Sequence, residues 1–338
     1  MAIKIGIMGF GRIGRNIFRI LHSQKNVEVV AIADIVEPEA LSYLLKFDTV
    51  FGRFPDPVLT KGSSMFVRGR EIRIVQAKEP KDVDWKSLGV DCVVEATAKY
   101  KTRTMLQQHL ASGAKKVVLT RPSDFTEVDY TLIRGVNDAG LKPEHAIIGA
   151  GSITTNCISP IIKILDEAFG IERAYMNTIH AYTNAQRLAD VPHNELRMSR
   201  AAAENMIPTE SKVPLSIEHL FPHLKGRVEA LAVNVPVPDG SSVDLVCDLN
   251  KDVTVESVNG VIQSAAGSSL YRGLIEYTEE PIVSSDVIGN SHSAMFDALA
   301  TQVVEKRLLK TLTWFDNGWG YAHRVVEIIE TLQSKGTL

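Results

Sequence analysis

The chain has 338 residues, of which 45% are hydrophobic and 23% are charged, and its formal net charge is −3. These values are typical of a globular protein of about two domains, and they give no sign of a nucleic-acid-binding surface. No apolar run is long enough to span a membrane, and the spacing of Cys92, Cys157 and Cys247 fits neither a metal site nor a disulfide framework, which indicates a reducing cytoplasm.

The chain opens on a strand followed by a glycine-rich turn. Residues 3–8 alternate as in a strand and go straight into the motif G-x-G-x-x-G with no cleavage-like site, so we interpret them as a first strand and not as a signal peptide. Gly9 permits the tight turn, a side chain at Gly11 would block a pyrophosphate, and Gly14 lets the following helix pack closely on the strand. The motif alone is weak, but its place between a strand and a helix favours a dinucleotide-binding turn.

A carboxylate follows at the position expected for ribose binding. The second strand, VEVVAIAD, ends in Asp34, about 20 residues after the last glycine. A carboxylate that accepts a hydrogen bond from a 2′-hydroxyl would repel a 2′-phosphate, so the sequence favours NAD over NADP. The alternative interpretation is a tight structural turn and a solvated aspartate.

Strands alternate with helices through the rest of the first half. DCVVEATAKY, AKKVVLTRPS and HAIIGAGS each place a short apolar strand before small or polar residues, and KTRTMLQQHLASG has the pattern of a helix. This alternation predicts an α/β fold with a mostly parallel, doubly wound sheet. Because ligands bind at the carboxyl ends of such strands, Thr97 and Thr120 are candidates for the cofactor edge, although ordinary polar residues at strand ends would look the same.

The second half begins with GAGSITTNCISP at residues 149–160, a stretch typical of a catalytic elbow that leads into a helix. Ile153 stands in its middle, where a hydrocarbon side chain can do no polar chemistry. Three strand-like runs follow the helix, and the first carries His180; a histidine on a strand is more often structural than catalytic, so spacing alone leaves both roles open. Between the first two of these strands, residues 184–216 are polar with little periodicity, which predicts a functional or interface-forming loop.

Six segments occur in an order and at a spacing that point to one enzyme family: GFGRIGR, TTNC, TIHAYTN, RAAA, VSSD and WFDNGWGYAHRVV. Over essentially the whole chain they resemble phosphorylating glyceraldehyde-3-phosphate dehydrogenase. The resemblance implies a Rossmann NAD-binding domain at residues 1–152 and a second α+β domain with a mixed sheet at residues 153–317. It also implies a C-terminal helix at residues 318–338 that packs back on the first domain, and a homotetramer in which the long loop lines the cofactor groove.

The resemblance assigns most of the cofactor-binding residues. The glycine turn matches, with Arg12 and Ile13 offering backbone N–H groups, and Asp34 matches the ribose carboxylate. Asn317 matches the asparagine that hydrogen-bonds the nicotinamide amide, and Tyr321 matches the aromatic residue near it.

Two positions at the cofactor edge depart from the family pattern. Ala33 stands where Asn is usual, and Ala98 stands where Gly is usual. These changes are modest, and NAD remains the cofactor that the resemblance implies.

The reaction residues depart further. In the family, the first cysteine of S-C-T-T-N-C attacks the aldehyde, and hydride transfer to NAD then gives a thioester that phosphate cleaves. Ile153 occupies that position here and cannot form the adduct. Cys157 matches the family's second cysteine, which is not the nucleophile and lies about 6 Å further along the helix axis. His180 matches the family's base but has no thiol to activate.

The residues that would bind the substrate phosphates are also altered. Met198 and Asn234 stand where the family has Arg, and Ala185 stands where it has Asp or Thr. The family's S/T-T-G turn appears as Glu210-Ser211-Lys212, in which Glu210 has the wrong charge for a phosphate and Lys212 partly restores a positive one. The candidate substrate-pocket residues are Ser152, Thr154, Thr183, Arg200, Ser211, Lys212 and Asn234.

Several losses in one pocket predict a diverged paralogue and not a simple point mutant. The leading hypothesis is an NAD-binding protein without ordinary turnover of glyceraldehyde 3-phosphate, in homo-oligomers or in mixed tetramers with an active relative. The alternative is an NAD-dependent oxidoreductase for a non-phosphorylated aldehyde or alcohol, with His180 as base. A third hypothesis, activity through Cys157, requires a large backbone shift. Neither nucleic acid nor membrane is expected as a partner.

Overall fold

A computed structural model describes residues 2–336, and these divide into two compact units. The division follows the contacts within the chain, so each unit has its own sheet and its own hydrophobic core. The first unit contains residues 2–132, 138–152 and 322–336, and the second unit contains residues 133–137 and 153–321.

The first unit is built on a sheet of nine strands, with a separate two-stranded hairpin. Its strands are β1 (Ile3–Met8), β2 (Val27–Asp34), β3 (Phe47–Asp48), β4 (Gly52–Arg53), β5 (Val58–Lys61), β6 (Ser64–Val67), β7 (Arg70–Gln76), β8 (Cys92–Glu95), β9 (Lys116–Leu119), β10 (Tyr130–Thr131) and β11 (Ile147–Gly149). Its complete helices are α1 (Arg12–Leu21), α2 (Pro38–Lys46) and α3 (Arg103–Ala111).

The order of the large sheet is β10-β11-β9-β8-β1-β2-β7-β6-β5. Neighbouring strands are parallel from β10 to β7, and β7, β6 and β5 pair antiparallel at one edge. The central strands β8 and β9 read CVVE and KVVL and are buried at every residue, as expected of parallel strands that are covered on both faces. The predicted doubly wound parallel sheet is confirmed.

The second unit has a seven-stranded mixed sheet in the order β13-β14-β12-β15-β18-β17-β16. Strand β12 is parallel to β14 and antiparallel to β15, so the predicted mixed sheet is confirmed. Its helices are α4 (Ile153–Phe169), α5 (Val213–Leu220) and α6 (Val255–Gly267). Its strands are β12 (Ile171–Ala181), β13 (Ile207–Glu210), β14 (Val228–Val235), β15 (Ser241–Leu249), β16 (Ile275–Thr278), β17 (Ala294–Val304) and β18 (Leu308–Phe315).

The polar stretch at residues 184–216 is more regular than its sequence indicates. It contains β13 and the first turn of α5, together with a short 3-10 turn at residues 196–199. Strand β13 forms because Ile207 pairs with Asn234 of β14, 27 residues away, and such a pairing leaves no local periodicity to detect.

The C-terminal helix α7 (Trp319–Ser334) begins in the second unit and continues in the first. The sequence predicts this helix at residues 318–338, of which 337 and 338 lie outside the described residues. Among the helices of residues 2–336, none is long and apolar enough to cross a membrane.

Candidate functional site

The glycine-rich turn connects β1 to α1 in the first unit. Gly9 adopts a φ of +92°, which a residue with a side chain rarely takes. A Cβ at Gly14 would lie 2.2 Å from the carbonyl oxygen of Gly9, so only glycine lets the helix start this close to the strand. A Cβ at Gly11 would meet no atom within 4 Å among the described residues, so the space in front of this residue is open to a ligand.

The start of α1 supplies donors for an anion. The helix begins at Arg12, directly followed by Ile13, and its N-cap Gly11 has no side chain that could satisfy the first backbone N–H groups. Free N–H groups at a helix start, together with the helix dipole, favour a phosphate or pyrophosphate.

Asp34 is fixed beside this turn. Its Oδ2 accepts a hydrogen bond from the backbone N–H of Phe10 at 2.7 Å, and its Oδ1 accepts one from Val36 at 3.1 Å. The backbone N–H of Gly9 donates to the carbonyl oxygen of Ala33 at 2.8 Å. The structure therefore brings the predicted ribose carboxylate and the predicted pyrophosphate turn together, as the binding of a dinucleotide requires.

Thr97 and Thr120 follow the neighbouring strands β8 and β9, and both bind to Glu95. The Thr97 hydroxyl and backbone N–H donate to Glu95 Oε1 at 2.5 and 2.8 Å. The Thr120 hydroxyl donates to the carbonyl oxygen of Glu95 at 3.0 Å. Both hydroxyl protons are used within the protein. The Thr97 oxygen also accepts from the backbone N–H groups of Lys99 and Tyr100, so its hydroxyl has no lone pair left for a ligand. Their role at the cofactor edge stays a prediction.

A buried polar chain behind Thr97 was missed by the sequence analysis. The indole N–H of Trp85 donates to His109 Nδ1 at 3.0 Å, and His109 Nε2 lies 3.0 Å from Glu95 Oε2. Trp85, His109 and Glu95 are all buried. The signal that could have revealed the chain is the glutamate that ends the apolar strand CVVE, because a buried carboxylate requires partners.

The elbow of the second unit places a hydrocarbon at the first residue of α4. Ile153 is half-buried and packs against the hydrophobic core of the unit, and Thr154 beside it is buried. Cys157 lies one turn further along and is 0% exposed, and this burial raises the pKa of its thiol. The thiol is therefore neither accessible nor ionised at neutral pH. Ser152 immediately precedes the helix and belongs to the first unit.

His180 lies near the end of β12 and is half-buried. Its Nδ1 is 2.6 Å from the carbonyl oxygen of Ala181, and the side-chain amide of Asn317 is 3.3 Å from the same nitrogen. A carbonyl oxygen only accepts hydrogen bonds, so the shorter of the two contacts requires a proton on Nδ1. The amide nitrogen of Asn317 is also a donor, because its Oδ1 accepts from Ser241, and it then makes no hydrogen bond to Nδ1. In the neutral ring the lone pair is then on Nε2, the arrangement that a general base needs.

Asn317 is held by groups of its own unit. Its Oδ1 accepts a hydrogen bond from the hydroxyl of Ser241 at 2.6 Å, and its backbone N–H donates to Asp239 Oδ1 at 2.8 Å. The neighbouring Asp316 accepts from the backbone N–H groups at the start of α7, and burial, followed by the charge of Asp239, raises its pKa to about 6. Tyr321 is buried within α7, and burial raises the pKa of its hydroxyl.

The predicted phosphate-binding residues form no cluster of positive charge. Asn234 lies directly opposite His180 in the pairing of β12 with β14, and Met198 is buried. Arg200 Nε forms an ion pair with Asp190 Oδ2 at 3.0 Å, so part of its charge is already neutralised.

The remaining pocket candidates are held by local turns. The Thr183 hydroxyl accepts from the backbone N–H of Ala185 at 3.3 Å, and the Ser211 hydroxyl accepts from Val213 at 3.4 Å. Lys212 is exposed immediately before α5, and Glu210, also exposed, ends β13. The structure thus brings His180, Asn234 and Asn317 together, whereas Glu210 pairs with Leu231, three residues along β14 from Asn234.

Comparison with known proteins finds one family along the chain. Residues 3–103 match the model of the glyceraldehyde 3-phosphate dehydrogenase NAD binding domain, and residues 152–317 match that of the C-terminal domain of the same enzyme. Glyceraldehyde-3-phosphate dehydrogenase of Geobacillus stearothermophilus is 43% identical over 337 residues, which cover 99% of this chain and 100% of the relative. Glyceraldehyde-3-phosphate dehydrogenase 2 of Bacillus subtilis is 44% identical over 336 residues, covering 99% and 98%. The enzyme of Borreliella burgdorferi is 43% identical over 336 residues, covering 98% and 99%.

Proposed function

Because the chain belongs to the glyceraldehyde-3-phosphate dehydrogenase family and has its NAD-binding domain, we propose that it is a diverged member that binds NAD without forming the family's thioester intermediate. The observation that carries this proposal is Ile153, which stands at the start of α4 where the family resemblance implies the nucleophilic cysteine. An alkyl side chain has no lone pair with which to attack an aldehyde, so the covalent route has no first step.

No other thiol of the chain can replace the missing one. All three cysteines are buried, and burial raises the pKa of Cys92 and Cys247 to about 12 and that of Cys157 further. A thiolate is the reactive form, and a buried thiol with a raised pKa supplies almost none at neutral pH. Cys157 also packs within the hydrophobic core, away from any aldehyde that could reach the start of the helix.

The altered phosphate-binding residues support the same proposal. Replacing two arginines by Met198 and Asn234 removes charge-assisted contacts worth roughly 1.5–3 kcal/mol each. Glu210 adds a negative charge, and Arg200 is paired with Asp190. A doubly charged phosphate would therefore find fewer partners here than the family pattern provides.

NAD is the cofactor of the first domain, and the geometry of the first unit fits it. We assign the pyrophosphate to the backbone N–H groups at Arg12 and Ile13 and to the open space before Gly11, and the ribose to Asp34. When bound, NAD supplies a hydride acceptor. In the second unit we assign Asn317 and Tyr321 to the nicotinamide end, as the resemblance implies.

The direct test is calorimetry with NAD combined with an assay for glyceraldehyde 3-phosphate oxidation in the presence of phosphate. We expect binding of NAD without reduction of the cofactor. Absence of binding at millimolar NAD would remove the cofactor role, and NADH formation at a rate ordinary for an enzyme would remove the proposed loss of activity.

A second candidate function follows from the proton on His180. With Nδ1 donating to Ala181, the neutral ring has its lone pair on Nε2, and this nitrogen would take the proton from a bound hydroxyl group without the need for a thiol. An alcohol, or an aldehyde in its hydrated form, would suit such a base, and the reduced positive charge of the pocket favours a substrate without phosphate. A panel of such compounds followed by NADH absorbance tests this function, and flat traces for all of them, with His180→Ala as the control, would count against it.

We also propose that the chain assembles with further copies of itself. Ala174 and Met176 of β12 face the core beneath α4, and the alternating residues Tyr175 and Ile179 face the other way with exposures of 50% and 36%. An exposed apolar sheet face of this kind supports contact with another copy, as the family resemblance implies. Mixed tetramers with an active relative would use the same face.

A further inference from the structure

The buried hydrogen bonds that link Trp85, His109, Glu95 and Thr97 form a chain with only one possible assignment of donors and acceptors. An indole N–H can only donate, so His109 accepts at Nδ1 and donates from Nε2 to Glu95. Glu95 accepts at both oxygens, because Oε1 receives the backbone N–H and the hydroxyl of Thr97. Each donor in this hydrogen-bond chain meets an acceptor. Replacing any acceptor by a donor would leave two donors facing each other.

This chain ends in a turn that is held in an unfavourable conformation. The Thr97 hydroxyl oxygen accepts hydrogen bonds from the backbone N–H groups of Lys99 at 3.1 Å and Tyr100 at 3.5 Å. Between them Ala98 has a φ of +59°, in the left-handed region where a side chain is strained. The hydroxyl of Tyr100 donates to the carbonyl oxygen of Lys78 and ties down the end of the turn. Without these contacts, Ala98 would favour another conformation.

The turn lies directly against the glycine-rich loop. A Cβ built on Gly9 would be 2.6 Å from the backbone nitrogen of Thr97 and 2.8 Å from the carbonyl carbon of Ala96. Any change in the backbone conformation of residues 96–98 therefore alters the surface that Gly9 packs against. Gly9 and Gly11 directly precede α1 in the sequence, and we assign the pyrophosphate to the start of this helix.

We propose that Glu95 and His109 are positioning residues for NAD binding: through Thr97 they hold the strained Ala98 turn against Gly9 and so keep the pyrophosphate loop in its binding geometry. This inference rests on the assignment of NAD to the first unit. Neither residue needs to touch the cofactor, and both act through the backbone of the turn.

The test begins with Glu95→Gln, which keeps the shape of the side chain but adds a donor to the chain. We expect the Kd for NAD, measured by calorimetry, to rise about tenfold, the effect of losing one buried hydrogen bond. We also expect faster hydrogen exchange of the backbone N–H of Lys99, a readout that needs no cofactor. Asp129→Asn is the matched control, since Asp129 also accepts backbone hydrogen bonds in this sheet but precedes the edge strand β10. It should lower stability without changing the Kd by more than about twofold.

The decisive variant adds Ala98→Gly to Glu95→Gln. Glycine takes a φ of +59° without strain, so the turn no longer needs to be held, and the Kd should return to within about threefold of the wild-type value. His109→Gln, whose amide can accept from Trp85 and donate to Glu95, should bind NAD almost as the wild type does. If Glu95→Gln does not fold, Thr97→Val, which removes only the last hydroxyl, takes its place in both measurements.

Three results would overturn the proposal: an unchanged Kd in Glu95→Gln, an equal loss of affinity in Asp129→Asn, or no recovery with Ala98→Gly. If the wild-type protein itself fails to bind NAD, the cofactor assignment is wrong. In that case hydrogen exchange of the backbone N–H of Lys99 still shows whether the buried hydrogen bonds hold the turn. An unchanged exchange rate in Glu95→Gln would show that Glu95 does not hold it.

Discussion

At the scale of single residues, two side chains four positions apart in α4 define the chemistry of the second unit. Ile153 is at the start of the helix, where a thiol would be accessible and where the helix dipole would favour a thiolate. Cys157 has the thiol but is 0% exposed within the core. The thiol and the accessible helix start are therefore at different residues, and neither residue alone supports nucleophilic attack.

Ile153→Cys should create a reactive thiol in a protein that otherwise has none. We expect iodoacetamide to label one cysteine in the variant and no cysteine in the native wild-type protein over the same time, because the three natural cysteines are buried. Mass spectrometry of the intact protein gives the count. Adding Cys157→Ser to the variant should leave the labelling unchanged, and equal labelling of wild type and variant would contradict the burial of the natural cysteines.

The same variant should not recover ordinary family activity. The two arginine contacts that we propose to be missing are worth roughly 1.5–3 kcal/mol each, and their loss should lower transition-state binding by at least about 100-fold. We expect oxidation of glyceraldehyde 3-phosphate by Ile153→Cys to rise at least about tenfold when Met198→Arg and Asn234→Arg are added. Full activity of the single variant would show that the two arginine positions do not matter.

Asp316 and Asp239 form a pair of buried carboxyl groups beside Asn317. Burial and the charge of Asp239 raise the folded-state pKa of Asp316 to about 6, above the value of about 3.9 for an unfolded aspartate. The folded state thus binds this proton more tightly. Its stabilising effect is complete below about pH 4 and is lost as the pH rises through about 6.

Asp239→Asn should therefore stabilise the protein at alkaline pH. The amide oxygen can still accept from the backbone N–H groups of Gly240 and Asn317, while the repulsion of Asp316 is gone. We expect the free energy of unfolding to rise by about 1 kcal/mol at pH 8 and to change little at pH 4. Thermal melts at both pH values measure this, with Asp248→Asn, which alters an ion pair with an exposed arginine, as control. A loss of stability at pH 8 would be the contrary result.

At the scale of elements, the strand–turn–helix unit at the N-terminus was predictable because its signals are local. The strand predicted at residues 3–8, the glycine spacing and the end of β2 at Asp34 all agree with the structure, although β1 is buried throughout residues 5–8 and does not alternate there. Strand β13 was not predicted, since its pairing partner lies in another part of the sequence. The Trp85–His109–Glu95 chain was missed for the same reason: its members are 14 and 24 residues apart and meet only through the register of the sheet.

Substitutions of Gly11 and Gly14 should have different effects: the first should weaken NAD binding, and the second should lower the stability of the fold. Gly11→Ala points a methyl group into open space, so we expect an unchanged melting temperature and a Kd for NAD weakened at least about tenfold. Gly14→Ala places a methyl group 2.2 Å from the carbonyl oxygen of Gly9 and should lower stability by about 1–3 kcal/mol. Calorimetry and thermal melts on the pair test both statements, and Gly11→Ala with unchanged affinity would contradict the place assigned to the pyrophosphate.

At the scale of the whole molecule, the two units contribute different parts of the proposed function. The first unit has the turn, carboxylate and helix start that fit a dinucleotide, and we propose that the second unit lacks the features that the family resemblance assigns to covalent catalysis. A scaffold can keep its cofactor site when the chemistry changes, because function depends on the site and not on the fold.

Assembly should depend on the exposed face of the second sheet. Replacing both Tyr175 and Ile179 by Glu places two charges on that face, and we expect the oligomer to dissociate to smaller species in light scattering. Glu172→Gln, near the beginning of the same strand, should leave the mass of the oligomer unchanged. A wild-type protein that is monomeric at micromolar concentration would contradict the proposed assembly.

If Ile153 leaves the chain without a nucleophile, as we propose, no acyl-enzyme should form on it. The deciding measurement is mass spectrometry of the intact protein after incubation with glyceraldehyde 3-phosphate and NAD. Phosphate is left out so that a thioester would accumulate. We expect an unchanged protein mass. A covalent adduct of the phosphoglyceroyl group on any cysteine would contradict it.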